Sequence, residues 1–228
     1  MSRRILALAE SLCVATFSGL MGTVTGMLVG GPIGAVAGGL IAALHGAVAG
    51  WRGLYEWRRP RGWFAFVADS TWGLLGTALG SAVIAANIVL PSASLAHELS
   101  RRRNRHLHDG GVSLKRGFAF TLGPAISNAN PTGAGLNDSF LSRHEELHVW
   151  QGRIFGPLFQ LTYIVWAVGG AVVAVLTWLR HREAPLARLI ETACYYNNPF
   201  EYWAYRNDEN WPPPGAHPLL AWRGKNEA

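Results

Sequence analysis

Four stretches of this chain carry almost no charge, and they constrain its fold more than any other feature. Residues 12–30 and 33–50 contain no acid or base apart from His45, residues 64–91 contain only Asp69, and residues 158–179 contain none. About 20 apolar residues suffice to cross a bilayer as a helix, which satisfies its own backbone polar groups there. Charged residues make up 15% of the chain, against roughly 25% in a soluble domain. These runs predict a mainly α, multi-pass membrane helical bundle. The opening Met1-Ser2-Arg3-Arg4 resembles a signal peptide, but Glu10 interrupts it and the apolar stretch runs on too far. An uncleaved first span is the expectation.

The formal net charge of +6 sits between the apolar runs, at Arg3 and Arg4, at Arg52, Arg58, Arg59 and Arg61, and at Arg101, Arg102, Arg103 and Arg105. Basic residues flanking spans belong beside membrane lipids rather than on nucleic acid. Lysine occurs only as Lys115 and Lys225, a bias of GC-rich genomes, which points to a bacterial plasma membrane. Cys13 and Cys194 make neither a disulfide framework nor a cysteine zinc site.

Gly22, Gly26, Gly30, Gly34 and Gly38 recur every fourth residue, with Gly46 and Gly50 in the same register and Gly76 and Gly80 repeating the spacing. Small residues at this interval clear a helix face for close packing. The face then serves neighbouring spans of one chain or, as the alternative, a homo-oligomer. Gly30-Gly31-Pro32 reads as the turn of a helical hairpin over 12–50. If residues 64–91 also turn back, the break falls near Gly73 or Gly76. An acid inside a span is functional by default, yet Asp69 is close enough to the Arg58–Arg61 end to sit at the interface. His45 reads as a packed histidine inside the bundle. Residues 92–111, with His106, His108 and Asp109, read as a solvated loop in preference to a second metal site. Residues 112–122 alternate as one strand or a small hairpin, and 123–137 read as loop.

The chemistry is carried by His144-Glu145-Glu146-Leu147-His148, an H-E-x-x-H pentapeptide. On a helix the two histidines share a face and can bind one zinc ion, and Glu145 can take a proton from a water held there. A cap at Asp138 or Ser139, with Ser142 and Glu145 at capping-box spacing, predicts a helix over 139–155. A catalytic zinc needs a third ligand, and Glu201 is the candidate. Asn198 suits an N-cap and Pro199 the first helical position, which puts Glu201 in a first turn, where it would also suit the helix dipole.

Together, His144-Glu145-x-x-His148 and Glu201-x-x-Ala204 resemble membrane-bound gluzincin metallopeptidases, the group of HtpX-like and CaaX-type prenyl proteases. The block His144–Gln151, then Phe155-Gly156-Pro157-Leu158 and the later Glu201-x-Trp203-Ala204, is similar to uncharacterised bacterial membrane proteins with H-E-x-x-H-x-x-Q, F-G-P-L and E-x-W-A elements. The resemblance covers residues 118–208. It implies zinc held by His144, His148 and Glu201, with Glu145 as general base and Gln151 supporting the ligands. HtpX-like proteases place an acid four residues after the ligand glutamate. Tyr205 stands there instead, and Asp208 is the substitute on the same helical face.

The expected organisation is a glycine-zipper region at 1–91, a metallopeptidase-like region at 92–210 and a proline-rich extended tail at 211–228. Residues 158–179 either cross the membrane, so that 185–197 must return to the site, or break at Gly169-Gly170 into a re-entrant hairpin. The expected function is peptide-bond hydrolysis on a peptide or membrane-protein substrate, with the site facing the cytoplasm. His106, His108, Tyr202 and Arg143 remain open as oxyanion donors. The competing expectation is a non-enzymatic glycine-zipper scaffold with a structural or vestigial metal site.

Overall fold

The computed structural model describes residues 2–115, 117–130 and 141–222. The chain is mainly helical with one small sheet, and it divides into two compact units, 1–157 and 158–228. The expected boundary at 91 falls inside the first unit, because the helix before it packs on the sheet after it.

The first unit opens with α1 (Arg3–Trp51), whose helical backbone is broken at Gly30 (φ −132°) and Gly31 (φ 60°). Gly31 takes the left-handed conformation that other residues avoid. The chain then doubles back as an antiparallel hairpin. A Cβ on Gly26 would lie 1.9 Å from the Gly34 carbonyl oxygen, and one on Gly22 would lie 2.4 Å from that of Gly38. Gly46 and Gly50 meet Val14 and Ser11 in the same way, and Ser11 Oγ donates to the Ala47 carbonyl at 2.8 Å. Gly22 and Gly26 on the first leg therefore face Gly38 and Gly34 on the second. Gly30 does not belong to this packing face: nothing lies within 4 Å of its Cβ position, and it serves the turn. At that tip Leu28, Val29 and Ile33 are 82–86% exposed, an apolar surface that water would not favour.

Helices α2 (Pro60–Ser70) and α3 (Leu74–Val89) meet at 89°, so the third apolar run does break beside Gly73. Leu54, Tyr55, Ala65 and Phe66 form a core with Val14, Ala49 and Trp150. On α3, Val83 and Ile84 pack on Ala125 of a mixed sheet. Its strands are β1 (Ser94–Leu95), β2 (His106–Asp109), β3 (Phe120–Leu122) and β4 (Ala125–Ser127), in the order β1-β2-β4-β3. β2 runs parallel to β4, pairing His106 with Ala125, and the other two pairings are antiparallel. Only 120–122 of the predicted 112–122 strand is a strand, and β4 lies in the segment expected to be loop. A one-turn α4 (His97–Ser100) bridges β1 and β2. A π-helical turn (Leu141–Glu145) leads into α5 (Glu146–Phe155), which ends at Gly156 with φ 54°. The caps expected at Asp138 or Ser139 lie outside the described residues.

In the second unit α6 (Pro157–Arg180) is one continuous helix, so the re-entrant break expected at Gly169-Gly170 does not occur. Gly170 has a different use: a Cβ there would lie 2.6 Å from the Ala193 carbonyl oxygen. Helix α7 (Leu186–Glu191), a π-helical turn (Thr192–Tyr196) and α8 (Pro199–Asn207) return along α6. Trp166 Nε1 donates to the Ala193 carbonyl at 2.9 Å, and Ala174, Leu189 and Ala193 share a core. The last described residues are not an extended tail. Asn197 Nδ2 donates to the Leu220 carbonyl at 2.7 Å, and Trp211 and Trp222 pack on Tyr202.

α1 and α6 are long and apolar enough to cross a membrane, and the bent α2–α3 pair would be a third if it counts as one span. Because the legs of α1 touch backbone to backbone, Gly26→Val should destabilise the protein by about 1–3 kcal/mol, the usual cost of overpacking. Gly30→Ala, with open space around it, should cost at most about 1 kcal/mol. Thermal unfolding of the two variants in detergent compares them, and equal losses would contradict this hairpin.

Candidate metal centre

His144 and Glu145 close the π-helical turn, and His148 stands in the first turn of α5. The predicted regular α-helical spacing is thus replaced by a wider turn that runs into a normal one. The outcome still brings the histidines together: their ring centroids are 5.0 Å apart and T-shaped, and both residues are buried. Gln151 lies one turn on and is fully buried, its Oε1 2.8 Å from His148 Nδ1. When Nδ1 donates this bond, the lone pair of His148 sits on Nε2, the form a metal ligand requires.

Glu145 is 6% exposed, and its Oε2 accepts a hydrogen bond from Thr121 Oγ1 on β3. Nothing in the sequence singled out Thr121. It comes from the half-predicted strand, and only the pairing of β3 with β4 fixes which of its side chains meets the helix. Glu146, the variable position of the pentapeptide, points elsewhere. It accepts from Arg61 at 3.0 Å, from Trp150 Nε1 at 3.1 Å and from Arg105.

Helix α5 is tied down by a buried ion pair. Arg153 Nε and Nη2 donate to Asp69 Oδ1 and Oδ2, each at 2.8 Å, and Nη2 also donates to the Asn104 carbonyl. Asp69 is 2% exposed and also accepts from Tyr55 at 3.1 Å. Asp69 thus pairs with Arg153 of α5 and not with the neighbouring Arg58–Arg61 cluster. His45 is buried, with Nε2 3.3 Å from the Tyr55 hydroxyl, as a packed histidine should be.

In the second unit the cap reading holds. Asn198 Oδ1 accepts from the Phe200 N–H at 2.9 Å, Pro199 follows, and Glu201 stands in the first turn of α8. Glu201 is buried, and its Oε1 accepts from Tyr163 of α6 at 2.7 Å. The rings of Tyr163 and Phe200 stack 12° from parallel, and Phe159 packs on both. Tyr163 was the second residue that the sequence did not reveal, being one aromatic among many in an apolar run. Tyr205, at the position of the missing acid, is buried against Tyr196 and Trp211. Asp208 caps the end of α8, where its Oδ1 accepts from the Asn210 N–H at 3.1 Å.

His106 and His108 overturn the solvated-loop reading. Both are at most 2% exposed on β2, while Leu107 between them enters the core with Ile126 and Val149. Arg52 Nη1 donates to His106 Nδ1 at 3.1 Å. Among the other oxyanion candidates, Arg143 is exposed and Tyr202 half-buried. Comparison with protein-family models, with curated proteins and with solved structures finds no match to this chain.

Burial, reinforced by the Arg52 charge, pushes the His108 imidazole down to about 4, and His106 is lowered for the same reasons. An unfolded imidazole protonates near pH ~6.5. Between those values the unfolded chain binds more protons, so stability falls as pH drops from about 6.5 to about 4. His108→Leu should lessen that acid sensitivity. The measurement is the difference in Tm between pH 7 and pH 4.5, expected to be smaller in the variant than in the wild type.

Proposed function

We propose that this chain is a multi-pass zinc metallopeptidase of a bacterial plasma membrane, with His144, His148 and Glu201 as metal ligands and Glu145 as general base. One observation carries the reading: His144 and His148 are buried with their ring centroids 5.0 Å apart, and Gln151 Oε1 lies 2.8 Å from His148 Nδ1, as in a histidine held for a metal. Two imidazoles and a carboxylate suit zinc with a fourth position left for water or substrate. Zinc there would supply Lewis-acid polarisation of a scissile carbonyl and a water of lowered pKa.

The chain's own residues supply the rest. Glu145, aligned by Thr121, accepts the water proton and passes it to the leaving amine. Gln151 and Tyr163 orient one histidine and the glutamate. β3 is an edge strand, and a peptide pairing along it would run past Thr121 toward Glu145. This favours a peptide or an unfolded segment of a membrane protein as substrate. Membrane insertion is supported by the exposed apolar faces of α1 and α6, and each leg of α1 spans about 30 Å or more at ~1.5 Å per residue. The scaffold alternative loses its main surface, because the glycine face is filled within the chain and a homo-oligomer would have to use another face.

Purified protein should contain one zinc per chain by elemental mass spectrometry, and His148→Ala should lose it. Glu145→Gln should retain zinc and abolish cleavage of an unfolded protein substrate. Zinc-free wild-type protein that stays zinc-free after dialysis against the ion would reject the proposal. Tyr163→Phe should weaken zinc binding by roughly 10–100-fold in a chelator competition, the range for residues that orient ligands.

A further inference from the structure

Helix α2 is built the wrong way round for a helix facing water. Its exposed stripe is Trp63, Phe64 and Val67, at 54%, 49% and 44% exposure, with Pro60 a turn earlier. Ala65, Phe66, Ala68, Asp69 and Ser70 form the buried side. A stripe of this period normally turns inward. Trp72, 49% exposed just past the helix, extends the outward apolar surface.

Arg58 and Arg59 immediately precede this stripe and are exposed. Among the described residues neither guanidinium has an ion-pair partner, whereas Arg61 pairs with Glu146 and lies 4.0 Å over the Trp150 ring. Positive charge at the start of a helix opposes its dipole, so Arg58 and Arg59 do not serve the helix. The 89° bend means that when α3 stands across a bilayer, α2 lies in its plane. Trp57 Nε1 donates to Glu10 Oε1 at 2.7 Å, and Trp63 Nε1 donates to the Trp57 carbonyl at 2.9 Å. The start of α2 thus sits at the open end of the α1 hairpin, the end that also carries Arg3 and Arg4, while its last residue reaches down the first leg, where Ser70 Oγ donates to Ser18 Oγ at 2.9 Å.

We propose that α2 is an interfacial lipid-recognition helix rather than part of a span. Trp63, Phe64 and Val67 enter the boundary between headgroups and acyl chains. Arg58 and Arg59 hold the phosphates of anionic lipid headgroups. Tryptophan favours that depth because its ring is apolar and its N–H polar, and arginine beside it adds attraction to anionic lipid. The inference rests on the membrane reading above and is independent of the metal.

The test uses the full chain reconstituted in phosphatidylcholine vesicles with trace spin-labelled phosphatidylglycerol or phosphatidylcholine. Electron spin resonance reads the fraction of each label immobilised by the protein. Phosphatidylglycerol should be preferred, and the preference should fall roughly fivefold per arginine removed in Arg58→Gln/Arg59→Gln at low salt. Equal association of the two labels, or a preference that the double substitution leaves unchanged, overturns the proposal. In a second arm, bromine near the headgroups should quench Trp63 more than bromine at the chain ends, read as the difference between wild type and Trp63→Phe. Stronger quenching from the chain ends would place α2 inside a span. Absence of quenching at both depths in a dimeric sample would make this face a protein interface. Release of the chain from vesicles by alkaline carbonate would remove the membrane reading, and this inference with it.

Discussion

The buried Asp69–Arg153 pair is the contact on which the first unit depends. Two parallel hydrogen bonds of 2.8 Å join α2 to the helix that carries His148. Burying two isolated charges costs several kcal/mol each, and their attraction repays it only when the remaining polar atoms find partners. Here Tyr55 and the Asn104 carbonyl supply partners for Asp69 and for Arg153 Nη2, while Arg153 Nη1 makes no hydrogen bond among the described residues. An apolar replacement could fill the same volume, but it would not fix the rotation of α5 about its axis. A forked guanidinium on a carboxylate does fix it, and that rotation decides whether Glu145, at the start of the helix, meets Thr121 of β3.

The glycine hairpin provides the frame on which this pair is mounted. Backbone-to-backbone contact between the legs of α1 leaves no room for side chains on the inner face, so the apolar side chains point outward. In water that arrangement would waste most of the hydrophobic effect, whereas in lipid the outer face is already at home and van der Waals contact between backbones holds the legs together. Polar residues then gather where the hairpin opens. Glu10 accepts from Trp57 and from Arg102 there, and the Leu54, Tyr55 and Trp150 core closes beneath them. The sheet and the H-E-x-x-H helix grow from this polar end.

Much of this was legible from residue spacing because the relevant interactions are local. Glycine every fourth residue, the Gly30-Gly31-Pro32 turn, the Asn198-Pro199 cap and the i, i+3 reach from His148 to Gln151 all act within a few residues. What spacing did not reveal depends on long-range pairing. His106-Leu107-His108-Asp109 has the composition of a solvated loop, and only a parallel partner strand around 125–127 buries it. Thr121 reaches Glu145, Arg153 reaches Asp69 and Tyr163 reaches Glu201 across separations of 24, 84 and 38 residues. No local period encodes such contacts. The π-helical turn under His144 likewise escapes a reading that assumes 3.6 residues per turn, and such turns concentrate at functional sites.

The second unit doubles back on itself along its long helix. A helix of 24 residues is about 36 Å long at ~1.5 Å per residue, so a chain that simply left the far end of α6 would carry Glu201 away from the end where α6 begins. Instead, Gly170 lets the backbone at Ala193 lie directly against α6, and Trp166 bonds to the same carbonyl. The returning segment reaches Tyr163, only two turns from the start of α6, where the Tyr163 hydroxyl meets Glu201. A side chain larger than hydrogen at residue 170 would hold Ala193 off the helix. Gly170, half of the pair read as a possible break in the helix, is thus the residue that lets the chain come back along an unbroken one.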